Sequence, residues 1–231
     1  TLTTEETRMR NNERGRNRAE DHGGQIDEAL EVLALKTGHA ELKTAPVAIW
    51  ALASMFGPTI SYLDDHDERV ICYFVTQPVR IGPSLPKLQV ATKKIPCCIA
   101  TSSEALMTWT AELSGLVEDW RKRNAPWCFV TDRCTNPLSR QLGPFAMAYI
   151  EACIKLRVSA ASGLAGRQPL REVDQSHGWL VERESQKAHP QATYTKSKEK
   201  AGWLPDQATA ELWELVESGK LDVKRDPPRR P

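Results

Sequence analysis

The stretch from residue 95 to 132, IPCCIATSSEALMTWTAELSGLVEDWRKRNAPWCFVTD, holds two short apolar runs separated by a long amphipathic segment. IPCCIAT and APWCFVTD have the length and composition of buried strands, and the segment between them is long enough for a helix. Strand, helix of this length, strand is the pattern of a βαβ unit, whose strands pair in parallel through a right-handed crossover. The charges along the predicted helix agree. Ser102 or Ser103 stands at its cap and Glu104 in its first turn, while Arg121, Lys122 and Arg123 fall in its last, the signs that the helix dipole favours. The expected fold class is therefore mixed α/β and helix-rich, with one βαβ-like unit at about residues 95–132, packing helices and basic terminal arms. A mainly α fold is the alternative.

Other segments extend this body. Ile26, Ala29, Leu30 and Leu33, with Val32 beside them, predict an amphipathic helix that Gly38 ends. APVAIWALASMF, residues 45–56, is apolar almost throughout, and its periodicity leaves strand and helix equally open. RVICYFVTQP, residues 69–78, clusters β-branched and aromatic residues ahead of Pro78 and predicts a strand. In FAMAYIEACIKLRV, residues 145–158, Phe145, Ala148, Tyr149, Ala152, Cys153 and Leu156 recur at helical spacing. Residues 159–207 are polar and predict loops with at most one short helix, leaving Trp179 and Trp203 as candidate contacts for a partner. PDQATAELWELVESG, residues 205–219, predicts a last helix capped by Asp206, with Leu212, Leu215 and Val216 on one face and Gly219 at its end.

The chain has 231 residues, 40% of them hydrophobic, which is enough to build a core, and a net charge of only +1. That charge is unevenly distributed. Residues 1–18 carry +2 and residues 220–231 carry +3, leaving the other 201 at −4. The expected organisation is an Arg-rich arm over 1–24, one globular domain over 25–219 and a basic, Pro-rich tail over 220–231. No apolar run approaches the roughly 18 residues of a spanning helix, and the first twenty residues are the reverse of a signal peptide's apolar segment. The six cysteines, Cys72, Cys97, Cys98, Cys128, Cys134 and Cys153, lie mostly in apolar runs without the regular framework of secreted domains, so they read as reduced, buried and intracellular.

RMRNNERGRNR, residues 8–18, is the most unusual segment, with five arginines in eleven positions. A guanidinium fork takes phosphate bidentately, and interleaved asparagines can bond sugar or base edges, so the segment resembles arginine-rich stretches that fold on RNA. In a helix, Arg10, Arg14 and Arg18 would share a face. Arg8, Arg10, Arg14, Arg16 and Arg18, with Lys224, Arg225, Arg229 and Arg230, are the candidate nucleic-acid contacts. Pairing with acidic groups of a neighbouring subunit and a merely solvated tail are the competing readings.

Two family resemblances accompany these residues. IATSSE, the helix after it and RKRNAPWCFVTDRCTNPLSRQ are spaced like the sugar isomerase (SIS) domain, over roughly residues 95–143. That resemblance implies phosphosugar binding at a serine-rich loop, here Thr101, Ser102 and Ser103, although Ser103 stands where the family's loop usually has glycine. LPKLQVATKK, TSSEALMTW, PWCFVTDRCTNP and PLSRQLGPFAMAYIE occur in an order similar to motifs of the coat proteins of flexuous filamentous plant viruses. It implies Arg140 at an RNA pocket, but no AFDF counterpart follows, and that family's helical core conflicts with strands at 69–76 and 95–101.

The remaining signals are plainer. Cys97 and Cys98, and the spacing from Cys128 to Cys134, lack the paired C-x-x-C of a zinc site. The acidic run Asp64, Asp65, His66, Asp67 and Glu68 reads as an exposed turn, and no nucleophile, base and orienting group assemble from the spacing. No metal or cofactor is expected. The leading expectation is a non-enzymatic structural or assembly protein, cytoplasmic or in a virion and not secreted through a signal peptide. Its arms would contact nucleic acid, RNA in the first place, or neighbouring subunits, as a viral coat or nucleocapsid protein does. It would self-associate and bind no membrane. The alternative is an α/β domain binding a phosphorylated small molecule such as a sugar phosphate.

Overall fold

Three parallel strands organise the molecule. The computed structural model describes residues 35–38, 71–76, 90, 94–101, 111–131, 135–136, 141–158 and 170–221. β1 (Tyr73–Thr76), β2 (Cys97–Thr101) and β3 (Trp127–Thr131) pair in parallel and in chain order, with Phe74 beside Cys98 and Cys98 beside Cys128. Between β2 and β3 runs α1 (Ala111–Lys122). A three-stranded parallel sheet rules out the mainly α alternative and makes the fold mixed α/β.

Both faces of this sheet are covered, as parallel strands require. α2 (Pro144–Arg157) lies on the face that carries Phe74, Cys98 and Cys128. Its Tyr149 ring meets Phe74 at 6.0 Å and Phe145 at 6.1 Å. On the other face Val117 of α1 shares a cleft with Trp127 and Phe129, and Trp120 is buried in the same core. A short antiparallel pair, β4 (Thr135–Asn136) with β5 (Gln141–Leu142), leads into α2.

The polar region after residue 159 departs from the sequence expectation. It contains a three-stranded antiparallel sheet, β6 (Trp179–Glu182), β7 (Lys187–Pro190) and β8 (Gly202–Leu204), in the order β7-β6-β8. β8 passes so close to β3 that a Cβ on Gly202 would lie 3.0 Å from the Cys128 Cα and 2.9 Å from the Val181 Cγ2. Glycine at 202 is thus what lets the two sheets meet. Trp203 is likewise no surface contact. It is 1% exposed, packed with Val173, Leu180 and Ala201, and Trp179 is partly buried against the main core.

α3 (Gln207–Glu217) starts at Asp206, whose carboxylate accepts from the Thr209 N–H at 2.8 Å. Its inner face also differs from expectation. Thr209, Ala210, Trp213, Val216 and Glu217 are buried, whereas Leu215 is 40% exposed. The Trp213 indole, a larger apolar group than any leucine of the helix and fully buried, sets the rotation of the helix. α3 also closes the outer edge of β3, since the Trp213 Nε1–H donates to the Phe129 carbonyl and the Glu217 carboxylate accepts from the Thr131 N–H at 2.6 Å. Its Glu214 accepts from the Ala188 N–H of β7 at 2.8 Å. One helix therefore satisfies edge groups of both sheets, the kind of protection an edge strand needs.

Candidate functional site

The sequence-derived contacts fall almost entirely outside the described residues. This holds for Arg8, Arg10, Arg14, Arg16, Arg18, Arg140, Lys224, Arg225, Arg229 and Arg230, and for Ser102, Ser103, Glu104, Cys134, residues 26–33, the run 45–56 and the acidic run 64–68. Thr101 is described at the carboxyl end of β2, beside Thr131 of β3. The neighbouring backbone N–H of Thr131 is already engaged by the Glu217 carboxylate.

A cleft of about 350 Å³ opens between α1, the start of β3, the β6–β7 turn and residues 194–200. Trp127 and Phe129 form its floor, and Glu182, Tyr194 and Lys196 stand on one wall. Glu182, near the end of β6, gathers three donors there: the Tyr194 Oη at 2.8 Å, the Lys196 Nζ at 2.9 Å and the Ser185 Oγ at 2.7 Å. The Lys196 ammonium, with the two hydroxyls, brings the Glu182 carboxyl down to about 2. Burial, and donation to that carboxylate, push the Tyr194 phenol well up. Both groups therefore stay in one protonation state across neutral pH, which makes the wall a fixed strut rather than an acid and base poised for proton transfer.

Behind this wall the Arg121 side chain runs inward, and the residue is only 7% exposed despite its charge. Its Nε donates to the Lys198 carbonyl at 3.1 Å, and its Nη1 to the Ala125 carbonyl at 2.9 Å and the Gln175 Oε1 at 3.0 Å. All three acceptors are neutral. Burial lowers the guanidinium to about 10, opposed by the nearby Tyr194, so the charge persists at neutral pH. The sequence reading gave Arg121 only a helix-dipole role. Its partners lie 4, 54 and 77 residues away, so no local spacing could signal the cluster.

The five described cysteines, Cys72, Cys97, Cys98, Cys128 and Cys153, are free and buried. Burial pushes the Cys97 and Cys153 thiols well up, which keeps them protonated and poor nucleophiles. Among the described residues no group of three or more His, Cys, Asp or Glu is arranged to hold a metal ion. None of the helices among them is long and apolar enough to cross a membrane.

Comparison with known protein families, with curated proteins and with solved structures finds no match to this chain. The short-motif resemblances to the SIS domain and to filamentous coat proteins therefore assign it to no family. The strands at Tyr73–Thr76 and Cys97–Thr101 also run against an all-helical coat-protein core.

Proposed function

We propose that this chain is a non-enzymatic assembly protein whose Arg-rich segment, 1–24, and basic segment, 220–231, contact nucleic acid or neighbouring subunits. The observation that carries this reading is the division of charge, +2 on residues 1–18 and +3 on residues 220–231 against −4 on the other 201. A polyanion neutralises the segments and can bridge two bodies, and release of its counterions drives the association. RNA suits the interleaved arginines and asparagines of residues 8–18, and a coat or nucleocapsid role, in the cytoplasm or a virion, is the setting in which such segments work. The test is the salt dependence of binding to single-stranded RNA. Replacing Arg10, Arg14 and Arg18 together by alanine should flatten the log-log salt slope by about two units. An unchanged slope in that triple variant removes residues 8–18 from the contact.

The second reading keeps an α/β domain that binds a phosphorylated small molecule at Thr101, Ser102 and Ser103. It is favoured by one feature, the position of Thr101 at the carboxyl end of a parallel strand, where open α/β sheets take their ligands. It stands second because the adjacent strand end already holds the Glu217 carboxylate, which repels a phosphate. This reading expects a rise in melting temperature with sugar phosphates.

A further inference from the structure

We propose that the carboxyl end of α1 and the turn at 198–200 form a second nucleic-acid contact on the body itself, with Lys94, Lys122, Arg123, Lys198 and Lys200 taking the phosphodiester backbone. The inference rests on the reading above and gives the polyanion a seat between the basic segments. Lys122, Arg123, Lys198 and Lys200 are exposed, and Lys94 is half-buried. Three hydrogen bonds tie down the segments that carry them. The Arg121 Nε reaches the Lys198 carbonyl at 3.1 Å, the Lys94 Nζ donates to the Arg123 carbonyl, and the Gln175 Nε2 donates to the Asn124 carbonyl that ends the helix.

Such a cluster costs free energy, because like charges this close repel and exposed lysines gain more by spreading apart. The negative end of the α1 dipole offsets part of that repulsion. Carboxylates offset another part: Asp119, 3.2 Å from the Arg123 Nε, Glu199 of the turn, and Glu118 and Glu184, which line the cleft together with Lys200. The five cations outnumber these four carboxylates, and Glu182 of the same cleft is paired with Lys196. Beneath them Arg121 adds a buried charge whose three acceptors are all neutral. A buried cation bonded only to neutral groups, under an exposed cationic surface, is stabilised by an anion arriving from outside. The turn is already shaped, with the Ser197 Oγ accepting from the Glu199 N–H at 3.4 Å, so binding orders little further backbone. Repeated phosphates along a flexible strand match a row of separate ammonium and guanidinium groups better than a single small anion does.

The test uses the full chain and a labelled single-stranded oligouridylate, with binding followed by anisotropy between about 50 and 200 mM salt. Lys122→Ala, Lys198→Ala and Lys200→Ala combined should flatten the slope by about two units and leave the melting midpoint in place. The Lys→Arg triple variant at the same positions should restore the slope. An unaltered slope in the alanine variant, with a flattened one in the Arg10, Arg14 and Arg18 variant, overturns the patch and leaves the segment reading standing. The reverse pattern supports the patch and overturns the segment. No salt-dependent binding by the full chain overturns both, and an oligoglutamate bound with the same slope overturns the assignment to nucleic acid in favour of an acidic protein.

Discussion

Glu182 shows how one side chain can fix a wall of the cleft. Its side chain is 13% exposed, yet it remains ionised because Lys196, Ser185 and Tyr194 all donate to it. Its folded value of about 2 lies below the ordinary 4.5, so the fold favours the carboxylate. The stability this supplies is complete above about pH 4.5 and is lost as pH falls toward 2. Glu182→Gln should therefore melt a few degrees below the native chain at pH 7, with the gap narrowing as pH is lowered through that window. Thermal melts across the range check this, and a constant gap would show that the hydrogen bonds, not the charge, matter. Glu182 was invisible as a hub in the sequence because its donors come from the turn after β6 and from a loop at 194–196 that the residue order does not bring together.

At the scale of elements, α3 is the joint between the sheets, anchoring β3 through Trp213 and Glu217 and β7 through Glu214. The Trp213 ring also meets Phe129 edge-on at 5.6 Å. Trp213→Ala should cost about 3–5 kcal/mol, the range for truncating a buried aromatic, and denaturant unfolding would measure it. A loss below about 1 kcal/mol would mean that the helix is not the joint. The parallel sheet and helices were legible where apolar residues run long or repeat at helical spacing. Cys97–Thr101 and Trp127–Thr131 lie inside the segments predicted for them, and Pro144–Arg157 is offset by one residue from the predicted 145–158. The antiparallel sheet was not, because WLVE, KAHP and GWL are three or four residues each, set among charges. Trp203 illustrates the difficulty: its short apolar stretch AGWLP follows the charged tract TKSKEK, and the residues that bury it come mostly from other elements. The face of α3 was misplaced for a related reason, since counting leucines overlooked the larger Trp213. Of the candidate site, the basic composition was legible but not the joining of the α1 end to residues 198–200, which depends on a contact spanning 77 residues.

For the whole molecule, charge and fold are divided between different parts of the chain. The buried core is built from the strands and helices between Ile71 and Val216, whereas the densest arginines lie in residues 8–18, outside every amphipathic segment. Deleting residues 1–20 should accordingly leave the thermal midpoint of the monomer nearly unchanged, because no core contact is expected to leave with them. Assembly is where the loss should appear. Without the arginines neither a shared polyanion nor an acidic surface of a neighbour is held, so the cohesive charge is gone. Light scattering of the full chain and of the chain lacking residues 1–20, at matched protein concentration and salt, measures this directly. A large particle is expected from the first and a folded, unassembled protein from the second. The same particle from both would contradict this expectation and move the phosphate-binding reading of Thr101, Ser102 and Ser103 to first place.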